Sequence, residues 1–224
     1  MQTAQTKDPL TQTIRVGFDL DGVLLYNPAR IIRPIISLIK HIFSKRKRLS
    51  FYYPKSPFKQ WLWRLFHKSS IFIAPGIGDI RELVRHKKIE AYIITARYSF
   101  LGKELTEWIK KNKFDTVFAA VYYNKEDEQP HLFKERMIKK LNLQVFVEDN
   151  YDIVDHLSKK KLARILWIYN IFDRGIAYPH KFGYLKKAVD SIKEMSSSSI
   201  VGAFRKSATP SAKAGMSLSC SSAS

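Results

Sequence analysis

Two carboxylates set two residues apart, Asp19 and Asp21, follow the apolar run Ile14 to Phe18 and precede Gly22. The run predicts a buried strand, and in an open α/β sheet ligands bind beyond the carboxyl ends of the strands, so both acids would face one crevice. Such a pair suits phosphoryl transfer: one carboxylate stays ionised and attacks, while the other holds a proton for a leaving alkoxide. Two carboxyls divide those tasks when their surroundings differ. Gly22 lets the backbone turn away sharply and leaves room for a ligand. Asp-Gly is also ordinary turn chemistry, so the segment alone fits a strand followed by a simple turn equally well.

The elements that must position these acids alternate along the chain. Ile77 to His86 reads as a helix with Ile80, Leu83 and Val84 on one face, and Ala91 to Ile94 as a short strand ending at Thr95. Phe100 to Lys111 follows as helix, Val117 to Val121 as strand, Phe133 to Leu141 as helix, and Val145 to Val147 as a strand ending at Glu148 and Asp149. Ile153 to Lys160 and Ile165 to Ile168 repeat the cycle. The alternation predicts an α/β, Rossmann-like fold with a mainly parallel sheet flanked by helices. Thr95, Lys134, Glu148 and Asp149 then fall at strand ends or helix starts, where they can share the crevice of Asp19 and Asp21.

At 224 residues the chain can hold one substantial core and an appended smaller element. The core is assigned to 14–27 and 73–195, interrupted by a basic helical insertion over 28–72. Within the insertion, Ile31, Ile32, Ile35, Ile36, Leu38, Ile39, Ile42 and Phe43 recur at helical spacing, Pro54 and Pro57 break the chain, and Phe58 to Phe66 forms a second short helix. The formal charge is +19, and between Asp21 and Asp79 there are 11 basic residues and no acid, a field that draws phosphate-bearing partners. Tyr52, Tyr53, Trp61, Trp63 and Phe66 lie among those cations. They could stack on nucleic-acid bases, lie in an anionic membrane surface, or fill the insertion's own core. Residues 1–13 and the Ser-rich 196–224, with 11 serines and no acid, are expected to be disordered. No apolar run is long enough to span a membrane, and residues 1–13 lack the apolar centre of a signal peptide, so a cytoplasmic protein is expected. The single cysteine, Cys220, permits no internal disulfide.

Four segments, Asp19-Leu20-Asp21-Gly22-Val23, Ile93-Ile94-Thr95-Ala96-Arg97, Lys134 and Val147-Glu148-Asp149-Asn150, resemble in order the four motifs of the haloacid dehalogenase-like (HAD) superfamily, with the likeness spanning about residues 19 to 190. The resemblance implies a HAD-type fold, with 28–72 as a small helical cap of the first type, and a Mg²⁺-dependent phosphohydrolase. Asp19 would be the nucleophile, forming an aspartyl-phosphate, and Asp21 the general acid and base; the dehalogenase branch lacks an Asp at that place. Thr95 would hydrogen-bond a phosphoryl oxygen, with Ala96 and Arg97 beside it in the substrate site. Lys134 would bridge nucleophile and phosphate, with Lys125 competing for that role. Mg²⁺ would be held by the Asp19 carboxylate, the Asp21 backbone carbonyl and Asp149, with Glu148 direct or through water and Asp152 a third choice. The substrate would be a nucleotide or other small organic phosphate. The likeness is nearest the 5′(3′)-deoxyribonucleotidase-like branch, although Asp173-Arg174 departs from the Asn-Arg pair frequent there. A second expectation, of a different class, is a protein that binds nucleic acid or an anionic membrane through the basic aromatic insertion on a HAD-like scaffold.

Overall fold

In the computed structural model, which describes residues 13–26, 51–68 and 72–207, the chain runs β1 (Ile14–Phe18), β2 (Leu25–Tyr26), α1 (Pro57–Lys68), β3 (Phe72–Ile73), α2 (Ile77–Arg85), β4 (Ile89–Tyr98) and α3 (Gly102–Lys111). It continues through β5 (Ala120–Asn124), α4 (Pro130–Leu141), β6 (Val145–Glu148), α5 (Tyr151–Lys160), β7 (Arg164–Ile168), β8 (Lys181–Phe182) and α6 (Leu185–Ser207). β1 is buried except at Arg15, as a strand covered on both faces must be. It lies inside a six-stranded sheet of order β5-β4-β1-β6-β7-β8, in which every neighbouring pair is parallel.

The helices cover both faces. Ile80 and Leu83 of α2, Leu105 and Ile109 of α3, and Leu185, Ala188, Val189 and Ile192 of α6 form one core with Val16, Phe18 and Ile93. On the other face Phe133, Met137 and Ile138 of α4 and Ile153, Val154 and Leu157 of α5 pack on Ile94, Phe146 and Trp167. β1 pairs with β4 on one side and β6 on the other, so the strand order reverses there and a crevice opens beyond its carboxyl end. Asp19 is the next residue.

The elements depart from the sequence expectation where local packing overrides pattern. β5 begins at Ala120 because Val117 and Phe118 are spent on the core after a 3₁₀ turn at Phe114–Thr116, the Phe114 and Phe118 rings lying 5.4 Å apart. β4 does not end at Thr95: Thr95 lies opposite Tyr123 and Tyr98 opposite Asn124, so Ala96 and Arg97 form a bulge within the pairing. β2 and β3 pair antiparallel at either end of the insertion, Leu25 with Ile73 and Tyr26 with Phe72, and are too short to leave a periodicity. α6 corrects the boundary at 196. It runs to Ser207, because buried Ser196 continues the apolar face set by Val189 and Ile192, and the Ser196 and Ser197 hydroxyls donate to the Lys193 carbonyl. The helix expected over 31–43, the N-terminus to residue 12 and the tail from 208 lie outside the described residues.

Candidate active site

Asp19 is fixed at its backbone before its side chain does anything. Its N–H donates to the Val147 carbonyl at 2.9 Å, extending the β1–β6 ladder by one bond, and its Oδ1 accepts from Leu20 N–H at 2.8 Å. The chain then closes a tight turn, with Leu24 and Leu25 N–H groups both donating to the Leu20 carbonyl and Gly22 N–H to Leu25. Gly22 has φ of 88°, in the region that favours glycine. A Cβ there would stand 2.1 Å from Asp149 Oδ2, so this glycine is what allows the Asp149 carboxylate to lie against the turn. The turn and the site are one structure.

Lys134 enters from α4, which starts with Pro130 at its first position and buries His131, Phe133, Lys134, Met137 and Ile138. A lysine on a buried face needs charged partners. The Lys134 Nζ lies 2.9 Å from Asp19 Oδ2 and 2.6 Å from Glu148 Oε2, at 2% exposure. Lys125 instead is exposed, its ammonium 5.4 Å from the Tyr123 ring centroid. Glu148 ends β6 fully buried, and its Oε1 accepts from Asn150 N–H at 3.1 Å. The Asp149 carbonyl accepts from Trp167 Nε1 at 3.2 Å, pinning the strand end to its neighbour.

Asp19, Glu148 and Asp149 bring carboxylate oxygens within 4.8 Å of one another, the one such group among the described residues. Two of the three, Asp19 and Glu148, contact the Lys134 ammonium. Burial pushes Asp19 up, and the Asp149 and Asp21 charges add to this against the pull of Lys134. Glu148 is likewise pushed up by burial and by Asp19 and Asp149. Burial alone would lower Lys134, but Asp19 and Glu148 outweigh it and hold the amine charged. Clustered hard oxygens with an excess of negative charge fit a hard divalent cation such as Mg²⁺. Asp19 and Asp149 keep some exposure, 6% and 8%, whereas Glu148 is fully enclosed, so the first two are the donors better placed for an ion arriving from the crevice.

Asp21 belongs to a different cluster. The β4 bulge aims Arg97 at it, and the guanidinium binds the carboxylate through two bonds, Nε to Oδ2 at 2.8 Å and Nη2 to Oδ1 at 2.7 Å. His67, near the end of α1, places Nδ1 3.7 Å from Oδ2. Burial pushes Asp21 up, but the Arg97 charge and hydrogen bonds, with His67 behind them, more than offset it and leave the carboxyl well below its usual range. The two acids, two residues apart, are therefore driven in opposite directions, and in the sense opposite to the expected roles: the expected nucleophile, Asp19, is pushed toward protonation, while the expected proton donor, Asp21, is held ionised by Arg97.

Thr95 is buried at the last regular position of β4, and its Oγ1 accepts from Arg97 N–H at 3.4 Å. Ala96 is half-buried in the bulge. Asp152 is exposed in the first turn of α5, where its N–H donates to the capping Asn150. Arg174 is exposed, and its carbonyl accepts from Lys181 Nζ. Sequence reasoning missed two partnerships, that of Arg97 with Asp21 and that of His67 with the same carboxylate. A basic residue just past a motif threonine was the only signal for the first; the insertion's two histidines, His41 and His67, offered none for the second.

No family model matches the sequence, and no curated protein matches it either. Solved structures do. A Thermotoga maritima protein described as a beta-phosphoglucomutase superposes with a TM-score of 0.53 at 15% identity, over 81% of this chain and 99% of that one. CbbY from Rhodobacter sphaeroides, solved in complex with phosphate, gives 0.52 at 13% identity, over 79% and 96%. A HAD-superfamily hydrolase from Ehrlichia chaffeensis aligns over 83% and 98% at 14% identity, with a TM-score of 0.46 that bears no weight. At such identities the likeness is one of fold.

Proposed function

We propose that the protein is a HAD-like phosphomonoester hydrolase that is Mg²⁺-dependent and uses Asp19 as its nucleophile. The observation that carries this reading is the contact of Asp19 Oδ2 with a buried ammonium, Lys134, inside a cluster of three carboxylates. An attacking carboxylate must approach an anionic phosphate, and a fixed cation at 2.9 Å lowers the repulsion between them. The shared fold with CbbY, whose structure holds phosphate, supports the same reading.

In this mechanism an Asp19 oxygen forms a bond to phosphorus as the bond to the leaving oxygen breaks, giving an aspartyl-phosphate. Thr95 Oγ1 donates to a phosphoryl oxygen, and Lys134 balances the charge gathered on the phosphoryl group. Asp19 and Asp149, with the Asp21 carbonyl, would hold Mg²⁺, which would supply further charge neutralisation at the phosphate. Asp21 gives the leaving oxygen its proton and then takes one from the water that attacks phosphorus, so Asp19 is regenerated and inorganic phosphate leaves. Held by Arg97, Asp21 is a carboxylate that accepts a proton and does not give one. Donation therefore requires Arg97 to release it.

The substrate class is a small organic phosphate. A nucleotide is one such substrate, and the narrower nucleotidase reading gains nothing from Arg174, which is exposed. The test is phosphate release from a panel of monoesters with and without Mg²⁺, comparing the protein with Asp19→Asn. Release that depends on Mg²⁺ and vanishes in the variant is expected. A folded protein inactive across the panel, or an active Asp19→Asn, would refute the proposal. A second reading, of the insertion as a binding surface, is favoured by a different observation: the outward side of α1 is apolar.

A further inference from the structure

We infer that α1 is the face by which the protein lies on an anionic lipid membrane. Phe58, Trp61, Leu62 and Leu65 recur at i, i+3, i+4 and i+7, a single stripe along the helix, and are 71%, 57%, 52% and 54% exposed. The Phe58 and Trp61 rings stack at 6.1 Å. Phe72 and Ile73 of β3 are exposed as well, at the point where the insertion rejoins the core.

The helix is inside out by the usual standard, in which the apolar stripe faces the core. Its inner side is Gln60, Trp63 and His67, all half-buried, with Gln60 Nε2 donating to the Pro54 carbonyl and His67 set against Asp21. Arg64 ties the same helix down through Glu104 at 3.4 Å and the Phe100 carbonyl at 3.1 Å. Polar and aromatic contacts therefore hold α1 to the protein, and the stripe is left facing outward.

Charge selects the occupant. Lys55 and Lys59 are exposed beside the stripe, Arg64 is partly so, and no acid occurs between Asp21 and Asp79. A second copy would set these cations against their own kind, whereas an anionic lipid surface attracts them. Nucleic acid shares that attraction but is gripped by rings that stack on bases, and two of the four stripe residues are leucines. Leucine and phenylalanine sunk below the headgroups, with tryptophan at the interface and lysines reaching the phosphates, describe an interfacial helix. The inference does not depend on the hydrolase reading, since neither the stripe nor its flanking lysines touches Asp19 or its partners.

The test is sedimentation of the full chain with vesicles of phosphatidylcholine alone and of phosphatidylcholine with phosphatidylserine. Binding to the mixed vesicles, weakened by salt and nearly absent with the neutral ones, is expected. Replacing Lys55 and Lys59 by Gln should weaken it roughly fivefold for each cation removed. Phe58→Ser with Trp61→Ser should abolish it while leaving the thermal melt unchanged. Quenching of tryptophan fluorescence by lipids brominated in their acyl chains should fall in Trp61→Phe. The inference is overturned by no binding to anionic vesicles at low salt, as when the chain's own residues or a second copy cover the stripe. Binding that survives the serine substitutions, or single-stranded RNA bound through the stripe while vesicles are not, overturns it equally.

Discussion

Replacing Arg97 by Leu isolates what the guanidinium does for Asp21. The two side chains are 6% and 12% exposed and joined by two bonds shorter than 3 Å, so the variant leaves a carboxylate largely out of water with its main partner gone. Breaking a buried pair from one side costs about 3–5 kcal/mol. For a chain of this size, with about 2–4 °C per kcal/mol, that lowers Tm by roughly 6–20 °C. The loss is pH-dependent with a defined sign. In the parent the Asp21 carboxyl is held well below 3.8, so its stabilising contribution is full above about pH 4 and is lost as pH falls through that low value. In Arg97→Leu, burial is opposed mainly by His67, so the carboxyl moves up from its low value, its charged form is penalised at neutral pH, and protonation relieves it. The difference between the proteins should be largest at pH 7 and shrink as the pH approaches 4. Urea unfolding followed by tryptophan fluorescence measures it, since Trp167 is fully buried. Adding Asp21→Asn to Arg97→Leu removes the stranded charge and should recover most of the loss. A loss at pH 7 below about 1 kcal/mol, one that does not change with pH, or a double variant no more stable than the single, refutes the reasoning.

Two further outcomes follow from the carboxylate cluster. Mg²⁺ at about 100 times its dissociation constant should add about 2.7 kcal/mol of stability, a Tm rise of roughly 5–10 °C in a melting curve, and Asp149→Asn should lose most of it. A rise undiminished in Asp149→Asn would place the ion elsewhere. Gly22→Ala should destabilise by about 1–2 kcal/mol for the positive φ and should also diminish the Mg²⁺-induced rise, because the new Cβ meets Asp149 Oδ2. If the melt falls while the Mg²⁺ response is intact, the glycine serves the turn alone.

The acids at strand ends were legible because two periodicities coincide: an apolar run long enough for a strand, followed at once by a charged residue that the core could not accept. That rule places Asp19, Glu148 and Asp149 without reference to tertiary contacts. Lys134 needed more, since its chemistry is visible only beside Phe133, Met137 and Ile138, which make its helix face a buried one. Arg97 was visible as a residue and not as a partner. The bulge that aims it at Asp21 leaves no mark in a sequence whose apolar run, Ala91 to Ile94, reads as an ordinary strand. His67 reaches Asp21 from a separate element, and no spacing rule links residues that meet only through the docking of α1. The extension of α6 past Ser196 was hidden by averaging: serine-rich composition describes a segment as a whole, whereas a helix already packed at Leu185 to Ile192 needs only its next turn to face the core.

The paired ends at β2 and β3 bear on how such a chain can vary. Tyr26 and Phe72 are neighbours across two strands, so the backbone leaves the core and returns to it about 5 Å away. The described part of what hangs from this stem is also docked on the core, Phe51 N–H donating to Gln129 Oε1 and the Tyr53 hydroxyl to Asp127, while the six strands of the main sheet pair among themselves without it. The chemistry at Asp19 is built by β1, β4, β6 and α4, and from the described part of the insertion α1 brings His67 to Asp21. A lineage could thus exchange one surface for another at this stem, addressing the same buried carboxylates to a new place of work without refolding the machine that holds them.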